Sequence, residues 1–184
     1  MSRPRLRVTV IDVFKSGVPS RCAFRTAPKG EGALRIFVDA DSCPVKDEVY
    51  RVAERYDVAV TLVAASWLRV PSKPWIHLEV VKETGELDVA DDWIVEQVGA
   101  GDIVVSEDIL LAARCLEKDA RALSPRGRLF TPESIGEAVS TRELMADLRE
   151  AGLVTGGPAP FDKPDRSRFL QRLDEIINAI QRGR

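Results

Sequence analysis

The sequence predicts an α/β protein: a three-layer α/β/α sandwich with a mainly parallel sheet, followed by a helical C-terminal region. Short apolar runs rich in β-branched residues alternate with stretches of helical periodicity, as in chains of strand–helix–strand units. Right-handed crossovers then place helices on both faces of the sheet. The composition agrees. The 184 residues are 45% hydrophobic and 30% charged, which is globular rather than disordered and enough for a core without cross-links.

The first strand is Leu34-Arg35-Ile36-Phe37-Val38, an apolar run stopped by Asp39. Asp41-Ser42-Cys43-Pro44 reads as a turn into a helix. Pro44 suits a first helical position, and Asp41 or Ser42 is the candidate cap. Val45, Val49, Val52 and Ala53 carry that helix to about Tyr56. Residues 58–65 form a second strand, closed by Pro71 and Pro74, and residues 76–81 a third. After Gly85, a second helix opens at Asp88-Val89-Ala90-Asp91-Asp92 and ends at Gly99 and Gly101.

A fourth strand spans residues 102–106, a helix 109–118 and a short fifth strand 120–123, before Ser124-Pro125-Arg126-Gly127. Thr131-Pro132-Glu133 caps another helix, and Thr141 opens a further one to about Ala151. A loop containing Gly156-Gly157 precedes a final amphipathic helix over 165–180. That helix carries Phe169, Leu170, Leu173, Ile176, Ile177 and Ile180 on one side.

Residues 1–33 stand apart. The first 32 hold seven basic residues and two acids, with no compact apolar segment of the secretory kind. They read as a basic, disordered leader or as an upstream start codon, and an Arg-rich leader also fits a transit peptide. Residues 34–184 form a single domain. Without the leader the chain has a net charge of -7, against -2 overall, which excludes a globally basic nucleic-acid binder. No apolar run suits a membrane span, so no membrane partner and a cytoplasmic location are expected.

Cysteine and histidine chemistry is nearly excluded. Cys22, Cys43 and Cys115 form no paired motif, and His77 is the only histidine. Cys43 reads as packing and His77 as a strand residue. Carboxylates are abundant instead. Asp39 ends the first strand, Asp41 follows it, and Asp108 lies just past the fourth. Asp88, Asp91 and Asp92 share one helix face. In parallel sheets ligands bind beyond the carboxyl ends of the strands, where these acids fall. Two carboxylates about 4 Å apart repel by about 4 kcal/mol at an effective dielectric of 20. A hard cation, Mg²⁺ or Mn²⁺, relieves that repulsion and can activate water toward a phosphodiester.

Each acid also has a purely structural reading, as helix cap, turn residue or first-turn charge, with Asp39 the hardest to explain that way. Ser106 is placed to hydrogen-bond a carboxylate or ligand. Arg69 and Arg126, in loops, are candidates to hold substrate phosphates. Trp67, Trp75 and Trp93 are read as core or interface, with base stacking the alternative.

Several stretches resemble the YaiI/YqxD family of uncharacterised bacterial proteins, over about Leu34 to Ile180. They are Phe37-Val38-Asp39-Ala40-Asp41-Ser42-Cys43-Pro44, Ala90-Asp91, the run 101–109, Ser124-Pro125-Arg126-Gly127, Gly156-Gly157-Pro158, Pro160-Phe161 and Asp165-Arg166. That family is in turn similar to PIN-like and NYN domains, metal-dependent ribonuclease folds. The resemblance implies a PIN-like sandwich with acids at Asp39, Asp91 and Asp108, Ser106 as the hydroxyl, and Asp41 and Asp88 as further metal-site candidates. A fourth helix-borne acid would be Glu48 or Glu54, between which no motif selects. The implied partner is RNA, with no DNA-specific signal.

Two other readings stay open. Asp39-Ala40-Asp41 fits the paired aspartates of haloacid-dehalogenase phosphatases, with Asp39 as nucleophile, although Ser-Cys-Pro follows in place of Gly-Thr. A non-catalytic RNA- or protein-binding module is the third.

Overall fold

The computed structural model describes residues 33–41, 43–81, 88–153 and 159–183. Eleven elements follow in order: β1 (Arg35–Asp39), α1 (Lys46–Tyr56), β2 (Ala59–Ala64), β3 (Ile76–Val80), α2 (Val89–Gln97), β4 (Ile103–Val105), α3 (Ile109–Leu116), β5 (Arg121–Leu123), β6 (Leu129–Phe130), α4 (Pro132–Glu150) and α5 (Lys163–Arg182). They build one six-stranded sheet in the order β3-β2-β1-β4-β5-β6. All neighbours are parallel except β5 and β6. The chain begins at the centre and winds outward both ways, so the order reverses between β1 and β4.

Alternation along the strands divides the core. Ile36 and Val38 of β1, with Val60 and Leu62 of β2, face α1 and α5 and pack on Val49, Val52, Phe169, Leu173 and Ile177. Phe37, Val63 and Val104 point the other way, onto Ile94 of α2 and Leu111 and Cys115 of α3. Each such side chain, fully buried, contributes about 1.5–3 kcal/mol. A smaller cluster of Ala112, Ala122, Phe130 and Ala138 holds α4 against α3 and the sheet edge. The three layers match the fold class the sequence predicts.

Three local features differ from the sequence reading. Helix α4 runs unbroken from Pro132 to Glu150, so no second helix starts at Thr141. The Thr131–Ser134 capping box starts it, and Gly136 interrupts nothing because its Cα faces open space. Helix α1 starts at Lys46, after a turn holding Pro44 and Val45, and among the described residues no side chain caps it. Strand β6 has two residues, too few for any periodicity to reveal.

The Ser124-Pro125-Arg126-Gly127 turn explains its own composition. Ser124 Oγ accepts the amide N–H groups of Arg126 and Arg128. Gly127 sits at φ 81°, and a Cβ there would lie 2.8 Å from backbone atoms of Arg168 and Phe169. Only glycine lets this turn press so closely on α5. Residues 1–32 of the leader, Ser42, Gly85, Gly156 and Gly157 lie outside the described residues. No described helix is long and apolar enough to cross a membrane.

Candidate functional site: an aspartate cluster at the switch point of the sheet

The reversal of strand order between β1 and β4 opens a crevice at the carboxyl ends of those strands, where α/β sheets bind ligands. Asp39 is the last residue of β1 and Ser106 the first after β4. Ser106 is buried; its Oγ donates to an Asp39 carboxylate oxygen at 3.0 Å and accepts the Asp108 N–H at 2.9 Å. Asp108 turns its own Oδ1 to the N–H groups of Leu110 and Leu111, at 2.7 and 3.3 Å, and so caps α3. One hydroxyl thus ties the first acid to the loop that carries the last.

Asp91, in the first turn of α2, completes the group. Burial pushes its carboxyl up to about 6, and Asp108, Asp39 and Asp88 add to the shift in that order, while Arg114 opposes it. The fold therefore brings Asp39, Asp88 and Asp108 within electrostatic reach of Asp91. Asp88 precedes α2 in a left-handed conformation (φ 68°) and its side chain caps nothing, so the helix-capping account does not explain it. Among the described residues, no three His, Cys, Asp or Glu side chains stand close enough to hold a metal ion as placed.

The other predicted residues lie around this cluster. Asp41 is exposed, and its carboxylate accepts the Ala65 N–H at 2.7 Å, fastening the loop after β1 to the end of β2. Asp92 pairs with Arg114 at 2.6 Å. Arg69 is exposed in the loop after β2 and lines a groove of about 570 Å³ with Lys46, Tyr50 and Leu68. Arg126 donates to Asp165 at 2.9 Å and to the Ala159 carbonyl at 2.6 Å, tying the β5–β6 turn to the start of α5. Glu48 is buried, with Oε1 bound by Arg166 at 2.9 Å and Arg51 at 3.2 Å. Its Oε2 has no hydrogen-bond partner among the described residues. Glu54 pairs with Lys73.

Thiol chemistry finds no support. Cys43 is buried, and burial drives its pKa up to about 11, far from thiolate character at neutral pH. His77 lies on the edge strand β3, its pKa lowered by burial. Trp67 is largely exposed, whereas Trp75 and Trp93 pack partly inside, Trp93 edge-on to Phe37.

Two contributors escaped sequence reasoning. Arg114 sits in the second turn of α3 and tempers the charge of Asp91. Lys46 donates from Nζ to the Ala40 carbonyl at 2.7 Å, just beyond Asp39. No local pattern marks either one, because their partners come from other elements or from a turn.

A family model described as "Uncharacterized BCR, YaiI/YqxD family" matches residues 37–179. The chain belongs to the YaiI/YqxD family. Among curated relatives, a UPF0178 protein of Rhodospirillum centenum is 55% identical, covering 82% of this chain and 99% of its own length. One from Rhodopseudomonas palustris is 54% identical, covering 84% and 96%, and one from Rhodospirillum rubrum 51% identical, covering 82% and 100%. No solved structure matches the chain. The matched span holds every member of the aspartate cluster and the Ser124–Gly127 turn, so the switch-point crevice belongs to the family domain.

Proposed function

We propose that this YaiI/YqxD family member is a phosphodiester hydrolase acting on RNA, dependent on Mg²⁺ or Mn²⁺. The observation that carries the reading is the Asp39–Ser106–Asp108 hydrogen-bonded chain at the crevice, with Asp91 within the field of Asp108, Asp39 and Asp88. The donor set is all carboxylate oxygen, which suits a hard cation and no soft one. Asp39, Asp91 and Asp108 would hold the ion, flanked by Asp88, with Asp41 at the margin. Repulsion among them is what a divalent ion would remove, by drawing together carboxylates that stand apart without it. Such an ion supplies an activated water and neutralises charge on the phosphate.

The chain's own groups have separate tasks in this reading. Ser106 orients Asp39 and fixes the Asp108 backbone. Asp108 keeps one oxygen on the α3 amides, which holds its carboxylate rigid. Arg69, beside Lys46, would bind a substrate phosphate. Arg126, already engaged with Asp165, would give it secondary support.

The test is cleavage of a labelled single-stranded RNA with and without Mg²⁺ or Mn²⁺, alongside thermal shifts with each ion. The expected result is ion-dependent cleavage and a raised Tm, both lost in Asp39→Asn and Asp108→Asn. Asparagine still caps a helix, so Asp108→Asn should fold. RNA affinity that needs no ion and survives both substitutions would replace the hydrolase with a binding module. Turnover of p-nitrophenyl phosphate without RNA cleavage would replace it with a phosphatase.

A further inference from the structure

A second feature lies on the α3–α4 side of the cluster. Between these helices runs an open groove of about 450 Å³, walled by Ile109, Arg128, Glu137, Arg142, Met145 and Arg149 among others. Elsewhere the arginines are largely neutralised: Arg35 by Asp102, Arg114 by Asp92, Arg126 by Asp165 and Arg166 by Glu48. Arg128, Arg142 and Arg149 have no carboxylate partner among the described residues, although Glu137 lines the same groove. All three are exposed, and the Arg128 guanidinium lies over the Phe130 ring, 5.3 Å from its centroid. The groove lining sets three guanidinium groups against one carboxylate, in a domain that is otherwise acidic.

The topology sets where the groove leads. Strand β6 runs antiparallel to β5, so Arg128, just before it, lies at the carboxyl edge of the parallel strands. Asp39 and Ser106 lie on that same edge. Helix α4 packs against α3 and brings Arg142 and Arg149 into one groove with Arg128 and Ile109. Ile109, which lines the groove, follows Asp108 directly. Arg142 and Arg149 are seven residues apart, two helical turns, or about 10.5 Å along one face. That span exceeds a single phosphate and suits a chain of them, each met by a planar fork of donors.

We propose that this groove is the track on which single-stranded RNA is held, its backbone phosphates on Arg128, Arg142 and Arg149 as it approaches the aspartate cluster. The inference rests on the hydrolase reading for the choice of RNA, and its test is separable from that reading because binding is measured in EDTA. Fluorescence anisotropy with a labelled oligoribonucleotide, over a range of salt, supplies the readout. Wild type should bind. Arg142→Ala/Arg149→Ala should weaken binding at least tenfold and reduce the log–log salt slope by about 1.4. Arg142→Lys/Arg149→Lys, which keeps the charges, should retain most of that slope.

Arg121→Ala, at the opposite edge of the sheet, should bind as wild type does. The groove assignment is overturned if wild type shows no affinity, if the double alanine variant binds normally while folded by circular dichroism, or if Arg121→Ala loses as much. Stronger binding of an acidic peptide than of RNA would also overturn it, in favour of a protein partner. RNA bound through the groove but never cleaved keeps this assignment and ends the hydrolase reading. Cleavage and binding both indifferent to Arg142 and Arg149 do the reverse.

Discussion

Ser106 and Asp39 are joined by a 3.0 Å hydrogen bond between residues 67 positions apart in the chain. The bond exists because β1 and β4 are neighbours in register, with Val38 opposite Val105. It fixes the orientation of an acid that ends a buried strand.

Ser106→Ala should remove that bond and leave the Asp108 N–H without its acceptor. The expected loss is about 1–2 kcal/mol, read as a lower urea midpoint with an unchanged m-value. An unaltered midpoint would mean that the hydroxyl carries no strain-bearing tie between the two strands.

The acidic cluster should show in pH dependence. Folding raises the Asp91 pKa from 3.8 to about 6, chiefly through burial and then through Asp108 and Asp39. The folded chain therefore binds more protons than the unfolded chain between those values. This group's contribution costs nothing below about pH 4 and grows as pH climbs to about 6. In divalent-free buffer, Asp91→Asn should stabilise the protein at pH 7.5 by about 1 kcal/mol, after allowance for solvent screening of a partly exposed group. At pH 4 the gain should vanish. Thermal melts of both proteins across that range check it, and a gain that is equal at both pH values would deny the crowding of charge.

Gly127→Ala should be among the most damaging single-atom-scale changes in the domain. The new Cβ meets backbone of α5 at 2.8 Å, and φ 81° disfavours any L side chain. A cost of about 2–4 kcal/mol follows from combined strain and displacement of α5. Gly136→Ala, whose Cβ enters open space on helix α4, should instead stabilise by up to about 1 kcal/mol. Paired denaturation curves decide whether the two glycines differ in this direction.

Native-state alkylation tests the role given to sulfur. Cys43 and Cys115 are buried, with pKa values pushed by burial to about 11 and about 12. Iodoacetamide at pH 7.5 should leave both unmodified in the folded protein and label both in urea, by peptide mass spectrometry. Rapid labelling of native Cys43 would reopen a thiol mechanism.

Much of this protein was legible in its residues. The strands that alternate Ile36, Phe37 and Val38 between two cores announce themselves by β-branched runs, and the turn residues around Pro71, Gly99 and Gly127 separate them. The family stretches mark the same elements. Asp39 was visible as an acid ending an apolar strand, and Cys43 as packing, because burial and polarity are written locally. Local pattern was also where the reading erred: Thr141 has the chemistry of a helix cap, yet an unbroken backbone ladder through α4 leaves it nothing to cap.

What only the tertiary structure decided is which charges meet. Sequence offers Asp41 as a metal-site candidate and Arg126 as a phosphate-binding one; only the fold shows that Asp41 also accepts the Ala65 amide and that Arg126 pairs with the Asp165 carboxylate. It also sets Arg114 against Asp92 and lines up Arg128 with Arg142 and Arg149. The physical reason is range. Hydrophobic periodicity and turn chemistry act over a few neighbouring residues, so they can be read along the chain. Electrostatic pairing acts through space between elements, and its partners exist only once strand order has brought distant segments to one edge of the sheet.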